Sequence, residues 1–305
     1  MDRGTFCISC HTAMPYALAR PAVRTMLGEK DPSPVERQLL ASIATRVQHW
    51  GEEQPYLGDK AAGPGYESVL NAWVLTANES RADRMTDLTR QALRIMWSEQ
   101  IKTGPNAGSW RWASFGNEPW EAPDSDYWGA TAAALATGTA PEGYASSAPI
   151  QNDLNLLRTY LQRDWQGQSL FNQISLLSAS TRVPGLLNSK QKTQIVAEVL
   201  AKQQSDGGWS TASLMPATWK RRDGSPEHTE SDGYATGLVA NVLESTGNAK
   251  ALRKALSWLV QNQDRSTGSW PAESPNVARD HVSDAGKFMT DAATGYAVLA
   301  LAGEK

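Results

Sequence analysis

The stretch Gln203-Gln204-Ser205-Asp206-Gly207-Gly208-Trp209 decides the reading of this chain. It spells Q-x3-G-x-W, with a helical run from Ser189 to Gln204 leading in and a second helix expected from about Thr229. The arrangement recurs from Leu256 to Trp270 (LSWLVQNQDRSTGSW), with one extra residue between Gln263 and Gly268. It recurs again from Leu93 to Trp110 (LRIMWSEQIKTGPNAGSW), with a longer insertion after Gln100. A Gln closing a helix, a Gly-containing turn and a Trp therefore form a repeat. Each part has a physical task. The Gln amide satisfies orphan backbone groups at a helix end, the Gly permits the turn, and the Trp buries a large apolar area between units.

The segments after the turns repeat as well. Asp126-Tyr-Trp-Gly-Ala-Thr-Ala-Ala-Ala-Leu, Asp232-Gly-Tyr-Ala-Thr-Gly-Leu-Val-Ala and Asp291-Ala-Ala-Thr-Gly-Tyr-Ala-Val-Leu-Ala each open with an acid and run into small and apolar residues. Glu67-Ser-Val-Leu-Asn-Ala-Trp-Val-Leu is a looser copy. Such helices lack a wide polar face and are expected to be buried nearly all round. Their partners, such as 87–100 and 190–204, are amphipathic. The alternation predicts two concentric layers.

Working outward, inner-type helices are expected near 12–27, 66–77, 126–137, 168–180, 230–246 and 290–303. Outer-type helices are expected near 35–50, 81–99, 150–164, 189–204 and 248–263. Loops are expected at 51–65, 103–123, 209–228 and 264–288, with a linker at 140–149. No period-two pattern persists, so the class is all-α. A closed ring of helix pairs needs one further outer helix, expected before Cys7, which implies that the chain is truncated at its N-terminus. The repeat runs almost from end to end of the 305 residues, favouring a single domain over 1–305.

Composition narrows the function classes. The net charge of −3 gives no sign of a nucleic-acid surface. No apolar run reaches the length of a membrane span, although peripheral membrane contact stays open. No signal-peptide pattern is present. Twelve Trp against four Phe is a skew that the Trp-bearing turns partly explain.

Repeated Q-x(n)-G-x-W turns, each followed by an acid-headed helix rich in Ala and Gly, resemble the terpenoid-cyclase and protein-prenyltransferase superfamily, with squalene–hopene cyclase as the best-known similar member. The resemblance covers about residues 9–303. It implies an (α/α)6 toroid, a double-layered barrel whose inner helices line a central cavity. It also implies a hydrophobic, isoprenoid-type small molecule in that cavity. The fold alone does not specify an activity.

Three constellations carry candidate chemistry. In Asp124-Ser125-Asp126-Tyr127 the cyclases' D-x-D-D motif is matched at its first and middle acids, with Tyr127 in place of the last. By resemblance, Asp126 is the proton donor to an alkene and Asp124 its tuning neighbour. Such chemistry needs a strongly acidic carboxyl in a dry pocket. The competing reading is helix N-capping, which the heads Asp232 and Asp291 share. Aromatic candidates for the cavity wall, whose π faces stabilise cations, are Tyr66, Trp73, Trp128, Tyr234 and Tyr296. Glu67 heads its own inner helix.

The second constellation is Cys7-Ile8-Ser9-Cys10-His11, or C-x-x-C-H, the attachment signature of c-type haem. Both cysteines of the protein fall inside it. Thioethers from Cys7 and Cys10 would hold covalent haem c, and His11 would bind its iron. A partial zinc site, a redox dithiol and ordinary buried cysteines are the alternatives. The haem reading makes the chain an extracytoplasmic, periplasmic redox or binding module with a redox partner. Without haem, a cytoplasmic or membrane-peripheral location is expected. The third constellation gathers His228, Glu230 and Asp232, with Arg221, Arg222 and Asp223 upstream, at the mouth of an inner helix. His281 and Asp284 are similarly placed in the next long loop. A solvated loop ending in a capping acid is the plain alternative.

Two motifs are incomplete. Gly51-Glu52-Glu53-Gln54 is similar to the thioester motif of complement-like toroids but lacks its Cys. No Cys exists after residue 10 to complete a prenyltransferase zinc set.

Overall fold

The computed structural model describes residues 8–52, 62–80, 82, 84–216 and 218–303. Cys7, Glu53 and Gln54 lie outside the described residues. Among the described residues the chain is all-helical, with eleven α-helices and a single antiparallel bridge between Asn117 and Glu121. The helices are α1 (Ala13–Leu27), α2 (Pro34–Gln48), α3 (Gly63–Glu79), α4 (Asp87–Ser98), α5 (Ser125–Thr139) and α6 (Gln151–Arg163). They continue with α7 (Leu170–Ala179), α8 (Ser189–Ala201), α9 (Gly233–Leu243), α10 (Ala249–Gln261) and α11 (Asp284–Gly303).

Odd and even helices differ in kind. α3, α5, α7 and α9 are buried along nearly every residue, as expected of helices without a polar face. α4, α6 and α10 bury one stripe each, such as Leu154, Leu157, Tyr160 and Leu161 of α6. The odd helices form a cycle of neighbours: α1 packs on α3, α3 on α5, α5 on α7, α7 on α9, α9 on α11, and α11 back on α1. The even helices lie against this cycle, α4 on α3, α8 on α7 and α10 on α9.

The Q–G–W turns are built alike. Trp110, Trp209 and Trp270 donate their indole N–H to the carbonyls of Met96, Val199 and Leu259 at 2.7, 2.7 and 2.8 Å. Each acceptor lies in the last turns of an even helix, where carbonyls lack the regular donor four residues on. The Gln side chains reach elsewhere. Gln100, Gln203 and Gln263 donate to the carbonyls of Gly108, Gly207 and Gly268 at 3.2, 2.9 and 2.8 Å, holding the turn closed. Satisfying helix-end carbonyls is thus chiefly the work of the Trp, and the Gln is the turn's internal strut.

One helix start differs markedly from the sequence reading. α11 begins at Asp284, inside the stretch expected to be loop. Ser283 caps it, its Oγ accepting from Gly286 N–H at 3.0 Å. Gly286 and Lys287 had hidden the helical pattern there. α1 keeps its expected span and runs on through Pro21.

Candidate functional site

Every odd helix lines one cavity of about 580 Å³, most of them from the C-terminal half. Leu18 and Pro21 come from α1, Trp73 and Ala77 from α3, and Trp128, Leu135 and Thr139 from α5. Ser175 and Ser178 come from α7, Leu238 and Asn241 from α9, and Tyr296 and Leu299 from α11. All six helices therefore run the same way around it, and the rim carries Ser80, Thr181, Arg182, Glu244 and Ser245. The exposure of Thr181, Arg182 and Glu244 marks this as the open end. The wall is mixed, with apolar side chains sharing it with polar groups from Thr139, Ser175, Ser178 and Asn241.

Aromatic rings close the other end. Trp73 meets Trp128 edge-on at 6.4 Å, and Trp128 meets Trp112 at 5.4 Å. Tyr66 packs on Trp112 at 6.1 Å, while Tyr234 meets Tyr296 at 5.4 Å and Trp120 at 5.3 Å. Of the expected wall residues, Trp73, Trp128 and Tyr296 line the cavity. Tyr66 and Tyr234 belong to the aromatic floor behind them.

The acid heads lie beyond this floor, at the opposite ends of the helices, and none of Asp124, Asp126, Asp232 or Asp291 lines the cavity. Asp126 accepts from Tyr160 Oη of α6 at 2.9 Å. Asp124 accepts from Asn172 Nδ2 at 3.1 Å and makes no side-chain cap. It borders a separate recess of about 260 Å³ with Phe171 and Trp219, where burial pushes its carboxyl above the ordinary value. Asp232 caps α9, accepting from Ala235 N–H at 2.8 Å, Thr211 N–H at 2.5 Å and Thr211 Oγ1 at 2.9 Å. Burial raises its carboxyl despite these donors. Asp291 is half-buried and is not the counterpart of Asp232. Ala272 N–H donates to Thr290 Oγ1 as Thr211 N–H donates to Asp232, so Thr290 holds that position.

Glu67 is buried on α3, accepting from Ile8 N–H at 3.1 Å beside Arg46. His228, Asp232, Arg221 and Glu273 do meet, around a narrow recess. Arg221 there holds the loops together, donating to the carbonyls of Pro226 and Ser274 at 2.8 and 2.9 Å.

Cys10 is a free, buried thiol that burial raises well above its ordinary value. The His11 ring stacks on Phe288 at 4.3 Å, and its Nδ1 lies 3.0 Å from both Ser9 Oγ and Thr12 Oγ1. Burial, with the nearby Arg279 guanidinium, lowers the imidazole to about 4. Haem attachment asks both thiols and the imidazole to face one porphyrin, whereas Cys10 is packed into the core and His11 against Phe288. Among the described residues no cluster of three His, Cys, Asp or Glu side chains is placed to hold a metal ion.

The residues that sequence reasoning missed are on the rim and wall: Ala77, Ser178, Arg182, Asn241, Glu244 and Leu299. Their signal is helical spacing from an aromatic already singled out, as in Trp73–Ala77–Ser80 and Tyr296–Leu299–Gly303. No helix among the described residues is long and apolar enough to cross a membrane. No protein family matches the chain, and no curated protein matches it.

Proposed function

We propose that the chain is an (α/α) toroid of the terpenoid-cyclase type that binds a neutral, isoprenoid-like small molecule in its central cavity. The observation that carries this reading is the single cavity of about 580 Å³ to which all six odd helices contribute. Its size and its wall of aromatic and aliphatic side chains interspersed with polar groups suit a small-molecule site. Trp73, Trp128 and Tyr296 offer ring faces and edges to an unsaturated chain. The rim supports a neutral ligand over a diphosphate. Six helix C-termini bring partial negative charge there, and Arg182 is offset by Glu244.

Binding, rather than alkene protonation, is the activity supported. Asp126 is engaged by Tyr160 of the outer layer and is separated from the cavity by the aromatic floor. The reading is tested by titrating the protein with farnesol and following tryptophan fluorescence, with squalene incubated in parallel and products analysed by mass spectrometry. Saturable farnesol binding without turnover is expected. Squalene conversion that disappears in Asp126→Asn would restore the cyclase reading. A Soret band surviving acid–acetone extraction, after expression with haem-maturation machinery, would instead favour haem c on Cys7, Cys10 and His11.

A further inference from the structure

The acids that head the odd helices are not used alike. Asp232 caps α9, and donors from Ala235 and Thr211 take up its carboxylate. Asp124 stands just before α5 and caps nothing with its side chain. It accepts from Asn172 Nδ2 at 3.1 Å, and no Lys, Arg or His among the described residues pairs with it. Asn172 is itself only 1% exposed, and the Oδ1 of that same amide has no hydrogen-bond partner among the described residues. A carboxylate and a buried carbonyl oxygen are thus side by side, both short of donors.

Asp124 faces the recess of about 260 Å³, at the end of the ring opposite the central cavity. Two long loops close over it. The loop before α5 brings Glu118, the loop before α9 brings Met215, Pro216 and Trp219, and Phe171 comes from the first turn of α7. The backbone of Glu118 is fixed from behind by the buried Asn276. Its N–H donates to Asn276 Oδ1 at 2.8 Å, and its carbonyl accepts from Asn276 Nδ2 at 3.0 Å. The cations that follow Trp219 are committed elsewhere. Lys220 pairs with Glu227, Arg221 with Glu273 and two loop carbonyls, and Arg222 donates to Phe115 O and Asn117 Oδ1. Two carboxylates therefore meet aromatic and thioether surface in a recess that no cation lines. Burial, then the charges of Asp126 and Glu118, raise the Asp124 carboxyl, so the acids repel one another across the site.

We infer that this recess binds a small primary ammonium compound, its head shared by Glu118 and Asp124 and its hydrocarbon body against Phe171, Met215 and Trp219. A cation relieves the repulsion between the acids, and hydrogen bonds from an ammonium to a carboxylate are of the strong, charge-assisted kind. The rings add attraction for a cation beside them. A primary ammonium suits the site better than a quaternary one, because the carboxylates lack N–H donors. A hard divalent metal is disfavoured. It takes a cage of oxygen ligands, whereas carbon and sulfur make up much of this wall, and no three acids or other ligands among the described residues are placed to hold one. The volume lies below the range of about 300–1,000 Å³ for drug-sized sites, which limits the ligand to a small amine. The recess is separate from the central cavity, and its ligand is independent of what that cavity holds.

The test titrates the intact protein with hexylamine, which is protonated at neutral pH, by isothermal calorimetry. Hexanol and calcium chloride are titrated in parallel. Saturable binding of hexylammonium is expected, tighter than that of hexanol by about tenfold or more. Asp124→Asn and Glu118→Gln keep the shape of each side chain and remove its charge. Each is expected to weaken hexylammonium by about tenfold, with hexanol and the circular dichroism spectrum unchanged. Ala77→Trp, which fills the central cavity, is expected to leave hexylammonium binding as it is. No saturable binding, hexanol binding as tightly, or indifference to either carboxylate variant would overturn the inference. So would loss of binding in Ala77→Trp, which would move the amine to the central cavity. Tight calcium binding that both carboxylate variants abolish would instead assign the acids to a metal ion.

Discussion

The indole N–H of Trp209 donates to the carbonyl of Val199 at 2.7 Å, tying the turn back onto the end of α8. Trp110 and Trp270 do the same, in each case to the residue four before the motif's Gln. The ring therefore caps as well as packs. Trp209→Phe keeps most of the buried area and loses the indole donor, while the Val199 carbonyl retains the Lys202 N–H at 3.1 Å. A loss of about 1 kcal/mol is expected for Phe, against about 3–5 kcal/mol for Trp209→Ala. Urea denaturation of both variants checks this, and equal losses would mean that packing of the ring contributes nothing.

The turn glycines separate backbone strain from helix contact. Gly108 and Gly268 both have positive φ, 102° and 75°. Alanine at Gly268 meets open space and pays only the left-handed conformation, about 1–2 kcal/mol. Alanine at Gly108 pays that and also collides with the backbone of Leu156, so α6 must move. Gly108→Ala is expected to lower the melting temperature well beyond Gly268→Ala in a thermal scan. Matching shifts would mean that the first turn is not held against α6.

Helix identity was legible in periodicity and small-residue content, because a helix sealed on all sides and a helix with one wet face leave different patterns. The Q–G–W spacing carried the corners, since each of its three residues has a fixed bond to make. Direction within the ring did not show in the pattern. The acids at the helix heads drew attention to the N-terminal ends, whereas the cavity sits at the C-terminal ends among Ala77, Ser178 and Leu299. Small and hydroxyl residues leave space rather than fill it, and space has no letter in a sequence. Asp291 was misaligned by one position because Thr290 supplies a hydroxyl where Asp232 supplies a carboxylate.

Cavity occupancy and acid chemistry are separable by mutation. Ala77 faces the cavity from α3, so Ala77→Trp fills space without removing a core contact. Farnesol binding is expected to fall by about tenfold or more in that variant. Asp126→Asn, which alters a contact with Tyr160 on α6, is expected to leave the affinity unchanged. Isothermal titration of the three proteins decides it. Binding that survives Ala77→Trp would place the ligand elsewhere.

Acid stability rests in part on Glu36, which joins α1 to α2. Its carboxylate accepts from Ser33 N–H at 2.8 Å, lies 2.9 Å from Arg20 Nη2 and pairs with Arg24. Burial works to raise this carboxyl, but the Ser33 N–H and the two guanidinium groups outweigh it and hold it below the ordinary carboxylate value. A carboxyl depressed in the folded state binds its proton more readily when unfolded. Its contribution is therefore complete above about pH 4.3, the ordinary Glu value, and is lost as the pH falls through the folded value. Glu36→Gln is expected to cost about 1.5–3 kcal/mol at neutral pH, measured by urea denaturation. The difference from wild type should shrink as the pH is lowered below the ordinary Glu value. A difference that stays constant across that window would show that Glu36 acts through shape rather than charge.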